Sequence, residues 1–189
     1  MEALLTSTAV VALAEIGDKT QLLAIVLATR FARPWPIVAG ILVATLANHF
    51  LAALVGQQAA SWLDGTWFRY LVAFSFIAMA AWTLIPDKID DDMDKPARFG
   101  AFLTTLVAFF LVEMGDKTQV ATIALGARFD SVLAVMTGTT LGMMIANVPA
   151  VFLGNELVAR VPLGLVRIIA ALLFLAIGLW LLVQTMGLI

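Results

Sequence analysis

The heptapeptide Glu15-Ile16-Gly17-Asp18-Lys19-Thr20-Gln21 returns 98 residues later as Glu113-Met114-Gly115-Asp116-Lys117-Thr118-Gln119. Each copy sets two acids and one base in the middle of an apolar run. At mid-bilayer an ionisable side chain costs about 2.5–3.5 kcal/mol, so six of them facing lipid would cost on the order of 15–20 kcal/mol. A chain carries such charges only when they face inward and satisfy one another. The two motifs are the expected functional centre.

Composition says which solvent surrounds them. Of the 189 residues 62% are hydrophobic and 13% charged, and the mean hydropathy is +1.03. A soluble domain carries about a quarter charged residues. Apolar runs of about 18–25 residues read as transmembrane helices. A membrane barrel would alternate polar and apolar residues in segments of roughly ten, which this chain does not do. The predicted fold is an all-α integral membrane protein with lipid as its surroundings. Cysteine is absent, which removes disulfides, thiolate ligands and thiol nucleophiles. No Lys or Arg precedes the first apolar run, so neither a signal peptide nor a transit peptide is expected. The net charge of −2 and the lack of a basic stripe argue against nucleic acid as a partner.

Six spans are predicted, over about 3–29, 35–56, 67–85, 99–127, 132–154 and 163–185, with polar connections at 57–66 and 86–98. Between residues 15–31 and 113–129, ten of seventeen positions are identical without a gap. The same offset pairs Gly40 with Gly138, Arg69 with Arg167, Phe76 with Phe174 and Trp82 with Trp180. An internal duplication follows: residues 1–85 form a first three-helix repeat, 86–98 an acidic linker and 99–189 a second repeat. Three is odd, so the repeats enter the membrane from opposite sides and have inverted topology. Arg30, Arg33, Lys88, Lys95, Arg98, Arg160 and Arg167 fall on one side, against Arg69 and Arg128 on the other. The positive-inside rule makes the first side cytoplasmic, with the linker there and both termini outside. Inverted repeats are common in secondary transporters, whose sites lie between the repeats at the midplane. Spans two and five carry small residues (Gly40, Ala44, Gly138, Gly142, Ala146) suited to close helix packing, and Pro149 frees a carbonyl near Ile145.

On a continuous helix Glu15, Asp18 and Lys19 share one face, with Glu15 placed to pair with Lys19. Alternatively, Gly17 lets the helix unwind locally and bare its carbonyls. Brought together, the motifs offer the carboxylates of Glu15, Asp18, Glu113 and Asp116, the amide oxygens of Gln21 and Gln119 and the hydroxyls of Thr20 and Thr118. Such an oxygen cage suits hard divalent cations. Four carboxylates and two ammoniums (Lys19, Lys117) total −2, so one divalent cation or two protons restore neutrality. That is the outline of a cation/proton exchanger. A structural alternative is a set of static ion pairs between helices.

Asn48, His49 and Asn147 are candidates for supporting roles. His49 adds a nitrogen ligand that tilts preference toward Mn²⁺ over Ca²⁺ if it reaches the cage, and is otherwise packing. Asp87, Asp90, Asp91, Asp92 and Asp94 lack the glycine and terminal glutamate of a calcium loop and read as a solvated linker. No Gly-x-Ser-x-Gly, His-Glu-x-x-His or P-loop occurs, so the chain is not expected to be an enzyme.

The doubled Glu-apolar-Gly-Asp-Lys-Thr resembles the signature of the Gdt-type cation exchanger family, and the resemblance covers the whole chain. It implies export of Mn²⁺, or of Ca²⁺ in some members, in exchange for protons, with Glu15, Asp18, Glu113 and Asp116 as ligands. Relative to organellar members the chain lacks a long N-terminal extension, which points to a prokaryotic plasma (inner) membrane. The expectation is a Mn²⁺ exporter working by alternating access, without a resident cofactor and with its oligomeric state open. A Ca²⁺/H⁺ antiporter, a divalent-cation channel and a non-transporting membrane scaffold are the rival readings.

Overall fold

In each motif the chain leaves the helix at the residue after the glutamate. Ile16 (φ −66°, ψ 115°) and Met114 (φ −65°, ψ 116°) are extended. Gly17 and Gly115 follow at φ +80° and +79°, the left-handed region that other residues enter at a cost. Asp18 and Asp116 then stand, extended, as the N-cap residues of new helices. The continuous helix is thereby excluded and local unwinding is what the glycine provides. The geometry repeats to within a few degrees in both copies, as expected of one peptide folded twice.

The computed structural model describes residues 1–63, 65–85, 100–154 and 162–188. The described residues are helical, with no strands. They form α1 (Glu2–Glu15), α2 (Lys19–Phe31), α3 (Pro34–Trp62), α4 (Thr66–Thr83), α5 (Ala101–Glu113), α6 (Lys117–Arg128), α7 (Val132–Leu153) and α8 (Leu163–Thr185). Helices α3, α7 and α8 are each long and apolar enough to cross a membrane. Large apolar side chains such as Leu71, Phe74, Leu172 and Leu179 point outward. The connection expected over 57–66 is helical as far as Trp62, because Gln57, Gln58, Ala59 and Ala60 are adequate helix formers. The acidic run from Asp87 to Asp94, and Lys88, Lys95, Arg98 and Arg160, lie outside the described residues.

Small residues set the packing. Gly138 and Gly142 face α1 so closely that a Cβ would come within 2.5 Å of the Leu4 carbonyl and 2.7 Å of the Thr8 carbonyl. Gly40 meets the Phe102 carbonyl in the same way, at 2.8 Å. Further along α3, Gly56 meets α6 at the Ile123 carbonyl, and Gly126 of α6 meets the Ala53 carbonyl. Thus α7 runs beside α1, and α3 beside α5 and then α6. The remaining helices, α4 and α8, form an antiparallel pair through Gly178 against Ile77 and Phe76 against Phe174, whose ring centroids are 6.3 Å apart. One apolar cluster, including Val10, Val72, Leu125, Phe174 and Leu181, fills the end of the bundle where Arg128 lies. A second, including Val11, Leu27, Ile41 and Phe109, fills the end where Arg30 lies. The two motif breaks sit between them.

Candidate metal centre

Breaking α1 from α2, and α5 from α6, frees backbone amides that need acceptors, and the motif glutamines supply them. The Gly17 N–H donates to Gln21 Oε1 at 2.9 Å and the Gly115 N–H to Gln119 Oε1 at 2.7 Å. The amide nitrogens reach out in turn, Gln21 Nε2 to the Ala146 carbonyl at 2.9 Å and Gln119 Nε2 to Asn48 Oδ1 at 2.5 Å. Ala146 is the neighbour of Ile145, the carbonyl that Pro149 deprives of its helical donor. Asn48 also donates to the Phe110 carbonyl, at 3.4 Å. The glutamine oxygens, expected as ligands, are therefore each used by a glycine amide here, and both side chains pin a break to a neighbouring helix.

The carboxylates turn inward from these pinned breaks. Glu15, Glu113 and Asp116 are almost wholly buried, and each places an oxygen within 4.8 Å of the others. Glu15 accepts from Thr20 Oγ1 at 2.5 Å and, across the motifs, from Thr118 Oγ1. Neither oxygen of Glu113, nor Oδ2 of Asp116, has a hydrogen-bond partner among the described residues. Three carboxylates this close repel one another in a low dielectric unless a cation or protons lie among them. Oxygen donors of this type and number fit a hard divalent ion.

The lysines pair crosswise. Lys19 Nζ lies 2.8 Å from Asp116 Oδ1, and Lys117 Nζ lies 3.7 Å from Asp18 Oδ1. The expected Glu15–Lys19 pair is absent, because an i, i+4 contact needs an unbroken helix. Asp18 is buried but stands outside the three-carboxylate group. Lys117 Nζ also approaches the Ile85 carbonyl at 3.4 Å, a partner that no motif announces.

Of the supporting candidates, Asn147 is buried within interaction range of Glu15 and donates to the Met143 carbonyl and, at 2.9 Å, to Met143 Sδ. Met143 was not foreseen; its spacing of four residues from Asn147 on one helix is the signal that would have found it. His49 is fully buried, and neither ring nitrogen has a partner among the described residues. It is not one of the three clustered groups.

Comparison with known proteins follows the same lines. The family model described as "Divalent cation/proton antiporter GDT1" matches residues 3–91 and 101–188. A Vibrio cholerae protein named "Putative manganese exporter" is 49% identical over 180 residues, covering 95% of this chain and 90% of that protein. GDT1-like protein 5 of Arabidopsis thaliana is 28% identical over 212 residues, covering 91% of each chain. A GDT1-like protein of Synechocystis is 28% identical over 185 residues, covering 87% of this chain and 88% of its own. No solved structure matches the chain.

Proposed function

This chain belongs to the divalent cation/proton antiporter GDT1 family, and on that premise we propose that it exports Mn²⁺ from the cytoplasm in exchange for protons. The family is one of membrane transporters, so the chain is a transporter and not an enzyme. The observation that carries the proposal is the meeting of Glu15, Glu113 and Asp116, buried and within 4.8 Å, with both Glu113 oxygens unpartnered among the described residues. A static ion-pair network would satisfy its acids; this group is left short of positive charge.

In this reading Glu15, Glu113 and Asp116 hold the cation as substrate. Asp18 completes the charge set, and Lys19 and Lys117 keep two of the four carboxylates in place. Gln21, Gln119 and Asn48 hold the breaks in shape, while Thr20, Thr118 and Asn147 orient Glu15. Four carboxylates and two ammoniums leave −2, which one Mn²⁺ or two protons cancel. A carrier that is neutral in either loaded form crosses its cycle without moving an unpaired charge through low dielectric. The proposed topology is six spans in the plasma membrane of a prokaryote, as two inverted three-helix repeats (1–85 and 99–189) joined by a cytoplasmic linker at 86–98, with both termini outside. The matching motif breaks support it. The name of the Vibrio relative favours Mn²⁺; an all-oxygen cluster suits Ca²⁺ as well, which makes Ca²⁺/H⁺ exchange the second reading.

The test is flux in proteoliposomes, reading Mn²⁺, Ca²⁺ and internal pH together for wild type, Asp18→Asn, Asp116→Asn and Glu113→Gln. Mn²⁺ movement against protons, near two per ion and lost in the variants, is the expected result. Metal flux indifferent to a pH gradient would overturn the exchange, and flux of Ca²⁺ alone would overturn the choice of ion.

A further inference from the structure

The repeat relates α1 to α5, α2 to α6 and α4 to α8, so every contact in a symmetric molecule would recur at the positions shifted by 98. Around the motifs it does not. Lys117 bonds the Ile85 carbonyl, whereas its counterpart Lys19 makes no such bond to Val183, and its side chain is 22% exposed against 6% for Lys117. Leu163, at the start of α8, covers Gly17: a Cβ there would come within 2.7 Å of Leu163 Cδ2. The counterpart pair is Gly115 with Gly65, which has no side chain to cover it, and a Cβ on Gly115 would meet nothing within 4 Å. Helix α4 packs on α6, and α8 on α1. The counterparts, α8 on α2 and α4 on α5, show no comparable packing among the described residues.

The helix pairings have one sense. At the end of the α4–α8 pair away from Arg128, Ile85 and Leu163 reach the level of the motif breaks. In this position Val10, Val72, Leu125, Phe174 and Leu181, each at most 7% exposed, form a layer beyond the carboxylates. On the far side of that layer lies a cavity of about 340 Å³, lined among others by Arg69, Arg128, Asp130 and Gln184, with Val72 and Leu181 as its inner wall.

We propose that the α4–α8 pair is the moving element of the exchanger and that the cavity is its extracytoplasmic release vestibule, closed here by the apolar layer. In the opposite state α4 leaves α6 for α5 and α8 leaves α1 for α2. The Lys117–Ile85 contact is released and Gly17 is uncovered. The duplication supplies a related helix pairing for the opposite state, so the pair has a second seat to move to. The proposal rests on the inverted-repeat exchanger reading above.

The chain has no cysteine, so thiols can be placed at will. In Val72→Cys/Leu125→Cys, a short reducible bis-methanethiosulfonate linker would tie α4 to α6. The expected result is a fall in Mn²⁺ flux of about tenfold or more on cross-linking, restored by reduction. Undiminished flux with the link formed in most molecules, or no link at all, would overturn the gate. A reduced protein that neither binds nor moves Mn²⁺ would instead count against the exchanger reading. Should that variant bind Mn²⁺ but not transport it, Val10→Cys alone decides, since Val10 belongs to the apolar layer and does not line the cavity. It is expected to react with an impermeant thiol reagent from the Arg128 side during exchange and to be protected without a pH gradient; equal protection in both conditions would overturn the gate.

Discussion

Lys19 of the first motif and Asp116 of the second meet at 2.8 Å, so the cation of one repeat belongs to the acid of the other. Removing one partner of a buried pair leaves an uncompensated charge and costs about 3–5 kcal/mol. Lys19→Met alone is expected to fall in this range, since it leaves the buried Asp116 without its cation. Lys19→Met/Asp116→Asn should cost clearly less than the sum of the single changes. Denaturation of the four proteins in detergent measures the coupling; strict additivity would mean the pair is not formed.

The two glutamates of the cluster should part company. Glu15 accepts from two threonine hydroxyls, whereas Glu113 has no hydrogen-bond partner among the described residues. Glu15→Gln is expected to lose about 1.5–3 kcal/mol for disturbed bonds to a charged acceptor, and Glu113→Gln to leave stability level or higher. Adding Mn²⁺ at a hundred times its Kd should stabilise wild type by about 2.7 kcal/mol, and Glu113→Gln hardly at all. An unchanged Mn²⁺ response in Glu113→Gln would remove that residue from the site.

Gly17 and Gly115 share a left-handed backbone, so alanine at either is expected to cost about 1–2 kcal/mol in strain. Gly17→Ala also drives a methyl into Leu163 and should be the worse of the two. Leu163→Ala should recover part of the Gly17→Ala loss and nothing of the Gly115→Ala loss. Thermal unfolding of the double variants reads this directly.

Gln21 and Gln119 separate by burial. Without its side chain, Gln21→Ala leaves the half-buried Gly17 amide without an acceptor, at about 1–3 kcal/mol. The Gly115 amide is exposed, so Gln119→Ala should cost less. If the glutamine oxygens instead served as ligands, both changes would weaken Mn²⁺ binding alike, which isothermal titration would show.

The placement of chemistry along the chain was legible because charges in an apolar run have few destinations, and a repeat with one offset dates them to the same fold. That Gly17 and Gly115 break the helix was one of two readings. It needed the backbone to decide, since glycine tolerates a helix and a left-handed turn alike. The lysine partners were not legible: i, i+4 spacing argues for Glu15–Lys19, and only the approach of two segments 98 residues apart replaces it with crosswise pairs. The Ile85 carbonyl carries no sequence signal, because any residue following the end of α4 would present one. His49 was open from sequence, and the structure buries it without bringing it into the carboxylate group.

The crosswise pairs also bear on how the chain is made. While the first repeat enters the membrane during synthesis, Asp18 and Lys19 wait for Lys117 and Asp116, which are still untranslated. Until those arrive, the first repeat has its own Glu15, Asp18 and Lys19 to set against one another, in a local arrangement that must later be exchanged for the final one. Each repeat is thus an unfinished product that only its twin completes.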